Sequence, residues 1–477
     1  MLVDTSEATY VLFLDLKEFE SMGGLRLFLN PGEKHPENPV IRPTPGGWDR
    51  SRAKCYGTAL YDEDSRLFRM WYCGSADDQE KDWVGQEGGG RRIGYAVSHD
   101  GVHWTKPVLG IIEHDGSREN NLVLPDGQAP NVYRTGGDPP YRMYFESGVA
   151  TNDLRLALSE DGLHWSEAPE SPLIGKEYPR FPGSHEPFCV LHDPEDTDPT
   201  QHWKAYSLLH WMKPTGVSAG RSVGLWTSAD GIGWDEYPNN PIMSAEDGPE
   251  YEIHLPAVFR YRGYYLMFRD FMYINNSTDT ELAVSRNGIN FTRVMSGRKL
   301  IPLGAPGAWD AGMICVAPKS FIEHDGKLWY YYAGTPDMFR EGPRSGAHKP
   351  WYRYIGLARW RVDGLTHLEV DPSAGEGWFT TVPIPVSAEQ SELVVNVDCS
   401  DGDSRVSASV LDAKSGDTMP GYDFSDCAPV SVDTTASPLR WRRRPFGSPA
   451  TAEVRLSFRI RGRARMYSFW FRELEDG

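Results

Sequence analysis

The stretch that decides the fold is SHDGVHW, Ser98–Trp104, because the same pattern returns along the chain. The further copies are SEDGLHW (Ser159–Trp165), SADGIGW (Ser228–Trp234) and SRNGINF (Ser285–Phe291). In each copy the Asp or Asn caps its own backbone and the Gly adopts a positive φ, as a tight turn requires. The ring three residues after the Gly is expected to pack between neighbouring sheets. Each copy therefore predicts a hairpin turn.

The turns recur at similar distances. Their third positions are Asp100, Asp161, Asp230 and Asn287, which lie 61, 69 and 57 residues apart. RVDGLTHL, around Asp363, reads as a degenerate fifth copy. Strand-like segments precede each turn, for example FRMWYCG and RRIGYAVS before the first. A repeat of about 60 residues with four strands per copy is typical of a β-propeller, and these copies predict five blades.

After about Glu376 the pattern changes. The segments SELVVNVDCS, VSASVLD, AEVRLSFRI and RMYSFWFRE read as antiparallel strands without the turn motif, as in a β-sandwich. The predicted fold is therefore all-β, a five-bladed β-propeller over residues 41–375 followed by a C-terminal β-sandwich over residues 376–477. Residues 1–40 are expected to pack on the propeller or at the junction, since an untethered terminus would be disordered.

Composition agrees with this fold and limits the function. The 477 residues are 12% aromatic and include 48 Gly and 36 Pro, which suits short strands and tight loops. A formal net charge of -18 disfavours a nucleic-acid partner, because an acidic surface repels phosphate backbones. None of the six cysteines forms a C-x-x-C pair, which disfavours a zinc knuckle. We see no signal peptide or membrane span, so we expect a cytoplasmic protein with no membrane partner; the oligomeric state stays open.

Candidate functional residues are the polar side chains where the innermost strand of each blade begins, because these strands line the central funnel of a propeller. A carboxylate at the start of a buried strand costs folding free energy unless it has an ion-pair or hydrogen-bond partner or a functional role. The predicted catalytic residues are the three acids at such places, Glu186, Glu252 and Asp310. The predicted substrate-binding residues are Tyr56, Asn131, His185, His254 and Trp309.

Paired carboxylates that face a sugar-sized cleft are the machinery of glycoside hydrolysis. One acid protonates the leaving oxygen, and the other attacks the sugar or activates water. Glu186 is the predicted general acid, while Glu252 and Asp310 compete for the role of base, nucleophile or stabiliser. For any one of these acids, a loop cap or an ion pair with Arg is an equally good explanation. This chemistry requires no cofactor.

A metal site is the other interpretation of some of these residues. His185, His254 and Asp310 would have to converge on the ion, at about 2.0–2.1 Å for zinc. The chain contains no compact H-x-H or H-E-x-x-H pattern. Hydrogen bonds from these histidines to substrate hydroxyls or to strand carbonyls are therefore favoured.

Three stretches resemble bacterial relatives of the five-bladed glycoside hydrolases, the group of families 32, 43, 62, 68 and 117. They are GYAVSHDGVHWTKPVLGIIEHDGSRENNLVLP, the blade-five entry IPLGAPGAWDAGMICVAP, and the tail MPGYDFSDCAPVSVD with RMYSFWF. The resemblance covers most of the chain and is specific for a propeller followed by a sandwich, much less so for an activity. It implies an enzyme that acts on a furanoside or another small glycoside. It also implies a possible site for a divalent cation such as calcium on the propeller axis.

The chain departs from the family 32 pattern in two places. The blade-one strand AKCYGTALYDED has no Asp at the nucleophile position, and APNVYR replaces the R-D-P motif, whereas HEPFCV matches the E-C motif at Glu186. Family 130 mannoside phosphorylases share the fold and would need basic residues in the funnel, for which Arg221, Arg269 and Lys213 are candidates. Two alternatives stay open: a non-catalytic carbohydrate- or protein-binding propeller, and a lyase or transferase of specialised metabolism on a hydrolase-like scaffold.

Overall fold

The computed structural model of the chain divides into two compact units. Unit 1 comprises residues 1–30, 325–328 and 360–477, and unit 2 comprises residues 31–324 and 329–359. The residues that the structure describes are 10–76, 90–147, 153–175, 185–212, 218–245, 250–273, 275–338, 352–386, 392–442, 445–447 and 453–473.

The described residues form strands, with one short 3-10 helix at Pro199–Gln201 and no α-helix. This confirms the predicted all-β class. In chain order the strands are β1 (Tyr10–Leu12), β2 (Phe19–Gly23), β3 (Leu25–Leu29), β4 (Glu33–Lys34), β5 (Arg52–Asp62), β6 (Leu67–Ser75), β7 (Arg92–Ser98), β8 (Leu122–Leu124), β9 (Gln128–Arg134), β10 (Tyr141–Glu146), β11 (Leu154–Ser159), β12 (Ser166–Glu167), β13 (His185–His192), β14 (Trp203–Met212), β15 (Ser218–Ser228), β16 (Asp235–Glu236), β17 (Glu250–Tyr261), β18 (Tyr264–Tyr273), β19 (Thr278–Ser285), β20 (Thr292–Arg293), β21 (Met313–Cys315), β22 (Phe321–His324), β23 (Lys327–Thr335), β24 (Tyr354–Arg361), β25 (Thr366–Val370), β26 (Glu376–Thr381), β27 (Ile384–Pro385), β28 (Glu392–Asp398), β29 (Arg405–Asp412), β30 (Cys427–Ala428), β31 (Thr434–Pro438), β32 (Arg440–Trp441), β33 (Glu453–Arg461) and β34 (Arg465–Arg472).

In unit 2 the described strands fall into five consecutive antiparallel groups. Three are separate sheets of four strands, β5–β8, β9–β12 and β13–β16. The fourth group is β17–β20. In the fifth, β21 and β22 both pair with β23, which is followed by β24 and β4. A single parallel pair, Thr278 with Met313, joins the last two groups into one sheet.

Hydrogen bonds between first strands link the groups into a ring. Thr58 Oγ1 on β5 donates to Pro130 O on β9 at 2.8 Å. On its other side, β5 is bonded to the fifth group, because Ala59 N donates to Lys319 O at 2.9 Å. A chain of sheets whose first member contacts both the second and the last is the arrangement of a propeller, so the predicted fold class is confirmed.

The repeated motif forms the turn that the sequence predicts. Gly101, Gly162, Gly231 and Gly288 have φ of 72°, 77°, 78° and 69°, where glycine is favoured. The side chain of the preceding Asp or Asn accepts hydrogen bonds from the two backbone N–H groups that follow the Gly.

The ring of each turn packs against the sheet before its own, as predicted. Trp104 contacts Tyr331 of the fifth group, with ring centroids 5.5 Å apart, and Tyr331 Oη donates to Gly101 O at 2.7 Å. Phe291 meets Tyr206 in the same way, at 6.1 Å. The turns therefore bind neighbouring sheets together as well as reversing the chain.

Unit 1 is a β-sandwich. One sheet has the order β3-β25-β34-β28-β31, with β1 beside β34, and the other has β2-β26-β33-β27, with β29 beside β33. Both sheets contribute to one buried core. Within it the ring centroids of Phe458 on β33 and Phe469 on β34 lie 5.0 Å apart, and the common core is what holds two such sheets face to face.

The unit boundaries differ from the predicted ones at 40 and 375. β1, β2 and β3 pair with strands of the sandwich, so the first 30 residues belong to unit 1 and not to the propeller. β4 instead completes the fifth group of unit 2 by pairing with β24. A strand at the edge of a sheet has unpaired backbone N–H and C=O groups, and the N-terminal strands pair with edge strands in both units.

The fifth copy of the turn motif, around Asp363, is also reassigned. It lies in unit 1 and leads into β25, which pairs with β3. Ser468 Oγ donates to the Asp363 carboxylate at 2.7 Å. This turn is therefore part of the sandwich, and the fifth propeller group has its outer strand in β4.

The six cysteines are buried and form no disulfide. Among the described residues, no helix has the length and apolar character needed to cross a bilayer.

Candidate functional site

Several charged and polar side chains of unit 2 converge at the starts of the first strands and at the ends of the strands beside them. Antiparallel pairing places the end of β10 beside the start of β9, so Glu146 lies opposite Gln128. We call this set the funnel site, and its members are Lys54, Tyr56, Arg91, Gln128, Glu146, Glu186, His254, Asp270, Cys315 and Arg353.

Glu146 and Glu186 lie close enough for the charge of Glu186 to act on the Glu146 carboxyl. Glu146 is fully buried, whereas Glu186, at the start of β13, is half-buried. Gln128 Nε2 donates to Glu146 Oε2 at 2.7 Å, while Glu146 Oε1 is buried and has no hydrogen-bond partner among the described residues. Burial and the neighbouring Glu186 charge raise the pKa of Glu146 to about 8. Glu146 therefore carries a proton at neutral pH.

Basic side chains surround this pair. Lys54 on β5 is 5% exposed, and its Nζ lies 4.3 Å from the centroid of the Tyr56 ring. Burial lowers the pKa of Lys54 to about 7, and Arg91, Arg353 and Arg52 act in the same direction. Arg91 and Lys54 in turn favour the ionised form of Glu146. The funnel site thus joins two carboxyl groups to a cluster of cations.

Tyr56, Cys315 and Arg353 form the adjoining part of the site. Arg353 Nη1 donates to Tyr56 Oη at 3.0 Å and lies 3.8 Å from Cys315 Sγ. His254 and Asp270 approach the same thiol. Burial alone would raise the pKa of the Cys315 thiol. The hydrogen bond with His254 and the Arg353 charge outweigh burial and lower that pKa.

His254 is held by Asp270. The His254 Nδ1 and Asp270 Oδ2 atoms lie 3.0 Å apart, and Leu255 N donates to the other carboxylate oxygen at 2.5 Å. Burial opposes charge on the ring, but Asp270 and Cys315 outweigh it and raise the pKa of His254 to about 9. His254 is therefore an imidazolium at neutral pH, oriented by a fixed carboxylate.

His254, Asp270 and Cys315 also form the set of donor atoms in the described residues that comes near metal-site geometry, with these atoms within 4.8 Å of one another. Calcium takes six to eight oxygen ligands, and this set offers a thiol, an imidazole and a carboxylate. Arg353 lies against the thiol and repels a cation. The expected calcium ion does not fit these residues.

Glu252, the other predicted acid on β17, forms an ion pair with Arg221. The Arg221 Nη1 and Glu252 Oε1 atoms are 3.4 Å apart, and both side chains are buried. Arg269, proposed for phosphate binding, is 1% exposed and lies 3.8 Å from Glu281. Lys213 lies outside the described residues, as does the side chain of His185.

Asp310 and Trp309 belong to a structural motif that occurs twice. Lys34 Nζ lies 2.6 Å from Asp310 Oδ2, and Tyr332 Oη donates to the same oxygen at 3.0 Å. Trp309 stacks on Tyr332 and fills the space above Gly334 and Gly356.

The first group repeats this arrangement with Trp48 and Asp49. Asp49 Oδ2 pairs with Lys106 at 2.6 Å and accepts from Tyr72 Oη at 2.9 Å. Trp48 packs over Gly74 and Gly94. Two equivalent W-D pairs, each closed by a Lys and a Tyr, favour a structural role for Asp310 over a catalytic one.

Asn131 joins two neighbouring sheets. It is fully buried, and its Nδ2 donates to Phe188 O at 3.1 Å while its Oδ1 accepts from Val190 N at 3.1 Å. Both side-chain atoms are thus engaged by β13. This placement favours inter-sheet bonding over contact with substrate.

Of the residues predicted from the sequence, the structure brings Glu186, Tyr56 and His254 into the funnel site. Sequence reasoning missed Glu146, Lys54 and Arg353. One signal for Glu146 is present in the sequence: YRMYFE is an apolar strand that ends in an acid, much as an acid adjoins an apolar strand at Glu186. This signal is weaker than the one at Glu186, because Glu146 ends the second strand of its group and the strands expected to line the funnel are the first ones.

No family model matches the chain. Two curated sequences of Mycobacterium tuberculosis, the uncharacterised proteins Rv1502 and MT1551, are each 35% identical to it over 105 residues, which is 22% of this chain. The chain spans about a third of the length of these curated relatives, 31% in each case.

Solved structures similar to the chain include carbohydrate-active proteins, the group to which the resemblance pointed. A glycosyl hydrolase from Bacteroides ovatus is 17% identical, with a TM-score of 0.44 over 70% of this chain and 94% of that protein. The α-L-arabinofuranosidase PaAbf62A from Podospora anserina, in complex with cellotriose, is 10% identical, with a TM-score of 0.44 over 68% and 95%. Because these TM-scores lie below 0.5, we base the function on the chain's own residues.

Proposed function

We propose that the protein is an enzyme that cleaves a small glycoside, with Glu146 as the general acid and Glu186 as its partner carboxylate. The observation that carries the proposal is the buried Glu146 carboxyl, which has one oxygen without a partner among the described residues and whose pKa is raised by burial and by the charge of Glu186. Two carboxyl groups whose surroundings separate their protonation states are the requirement for acid-base cleavage of a glycosidic bond.

The roles differ from those expected from the sequence, which made Glu186 the acid. Desolvation decides between them, because Glu146 is fully buried and burial raises its pKa to about 8. Glu146 would transfer its proton to the leaving oxygen as the bond from that oxygen to the sugar breaks. Glu186 would attack the same carbon, or remove a proton from the water that attacks it.

Other members of the funnel site suit substrate binding. Gln128 fixes the Glu146 carboxyl through Oε2 and leaves Oε1 available. Tyr56 is 6% exposed, its Oη accepts a hydrogen bond from Arg353, and Lys54 Nζ lies over its ring, so it holds these two basic side chains in place. A furanoside or another small glycoside is the substrate that we propose for this site.

The test compares Glu146→Gln with the unchanged protein on a panel of aryl and alkyl glycosides. We expect roughly 10²–10⁴-fold lower kcat on alkyl glycosides, whose leaving oxygen needs a proton, and a much smaller loss on nitrophenyl glycosides. The rate of the unchanged protein should fall as pH rises through about 8, because the acid loses its proton there.

Glu392→Gln is the matched control. Glu392 is a buried carboxylate of unit 1, paired with Arg440 at 2.8 Å, so its loss tests general effects of removing a buried charge. Equal losses for Glu146→Gln on both leaving-group classes would contradict the role as acid. A folded protein that turns over none of the panel would favour the non-catalytic alternative.

A further inference from the structure

The funnel site contains a buried cation that has no acidic partner. Lys54 Nζ makes neither a hydrogen bond nor an ion pair with any described residue, and its contact is the face of the Tyr56 ring. Nearby, Arg91 Nε is buried and has no hydrogen-bond partner among the described residues. A buried amine without a counter-charge gives up its proton readily, and an anionic ligand would supply that counter-charge, so the place of Lys54 suits the binding of an anion.

The surroundings of Lys54 add to the positive charge. The groups facing it are Cys73 on β6, the guanidinium groups of Arg52, Arg91 and Arg353, the Tyr56 ring, and Glu146. Of these, only Glu146 is an acid, and it is protonated at neutral pH. The region next to the carboxylate pair is therefore a basic pocket in a protein whose net charge is -18.

We propose that Lys54 and Arg91 form an anion subsite that binds a carboxylate or phosphate group carried by the sugar that the funnel site cleaves. The inference rests on the proposed function for the sugar and on Lys54 and Arg91 for the anion. Arg forms paired hydrogen bonds to either oxyanion, and Lys supplies a point charge. The substrate is then an acidic sugar.

Binding of an anion at this place has a defined pH dependence. Free Lys54 loses its proton near pH 7, and a bound anion shifts that loss to higher pH, so binding takes up a proton between the two values. Glu146 acts in the same direction, because it ionises near pH 8 and its charge repels the anion. Affinity should be highest below about pH 7 and should fall as pH rises through 7 and 8.

The test is calorimetry with sodium glucuronate, inorganic phosphate and neutral glucose. We expect glucuronate or phosphate to bind the unchanged protein more tightly than glucose does. For glucuronate, whose own charge is constant in this range, affinity should be at least ~10-fold lower at pH 9 than at pH 6. The observed enthalpy should vary with the buffer's ionisation enthalpy, because a proton is taken up.

Lys54→Gln should weaken anion binding at least ~10-fold at pH 6. Lys319→Gln is the matched control, because Lys319 also lies 4.3 Å from a tyrosine ring, that of Tyr133, and burial also lowers the pKa of its ammonium, to about 8. If Lys54→Gln fails to fold, Arg91→Gln provides the same comparison from a half-buried position.

The outcomes separate the two proposals. Glucuronate binding that depends on Lys54 supports a sugar that carries a carboxylate, and phosphate binding that depends on it supports a sugar that carries a phosphate group. Anions that bind no better than glucose, or equally well to Lys54→Gln, overturn the subsite. Anion binding without turnover of any glycoside would remove the proposed reaction and leave the subsite standing.

Discussion

At the scale of single residues, the position of a carboxylate proved less informative than its partners. Asp310 lies at the start of an inner strand, as Glu186 does, but its carboxylate forms an ion pair with Lys34 and accepts a hydrogen bond from Tyr332. The Trp48–Asp49 pair repeats that arrangement in the first group. Glu146 has an amide partner on one oxygen and, among the residues that the structure describes, none on the other, which leaves that oxygen available to a ligand.

This difference predicts that Asp310→Asn lowers stability, whereas Glu146→Gln lowers turnover. Asp310→Asn leaves Lys34 without its counter-charge, so we expect a loss of about 1–3 kcal/mol in the free energy of unfolding with kcat per folded molecule retained. Chemical denaturation and active-site titration measure the two quantities. Full stability together with lost turnover would return Asp310 to the catalytic residues.

At the scale of elements, the turn motif both reverses the chain and joins adjacent sheets. Gly101 has φ 72°, and a Cβ there would approach Tyr331 Oη to 2.7 Å. Gly110 has nearly the same φ, 71°, with open space around it. The two positions therefore separate the cost of the backbone conformation from the cost of a blocked contact.

We expect Gly110→Ala to lower the free energy of unfolding by about 1 kcal/mol, the cost of a left-handed alanine. Gly101→Ala should cost about 2–4 kcal/mol, because it also displaces Tyr331 and its hydrogen bond to the turn. Urea denaturation of the two variants measures the difference. Equal losses would mean that the contact between turn and sheet adds nothing to the stability of unit 2.

At the scale of the whole molecule, the N-terminal segment completes both units. β1, β2 and β3 enter the sandwich sheets, and β4 closes the fifth group of the propeller. His35 N donates to Leu357 O at 2.9 Å directly after β4. The ring of unit 2 is thus closed by strands from distant parts of the sequence.

His35→Pro removes that donor, and His35→Ala keeps it. We expect about 2–3 kcal/mol of lost stability for the proline variant and under about 1 kcal/mol for the alanine variant. Thermal unfolding of unit 2, followed by tryptophan fluorescence, distinguishes them. A proline variant as stable as the alanine variant would show that closure by β4 contributes little to the ring.

The amino-acid sequence by itself determined the all-β class, the repeat and the turns, because these depend on short-range signals. Asp, Gly and an aromatic ring at set spacing specify a turn wherever they occur, and Glu186, Tyr56 and His254 follow from strand position. Only the tertiary structure decided which strands complete each sheet and which acids meet. The charge of Glu186 acts on Glu146, and β4 pairs with β24, across long stretches of sequence. The groups that surround Lys54 likewise come from distant parts of the chain. Burial and charge act through space, so the raised pKa of Glu146 could not be inferred from YRMYFE alone.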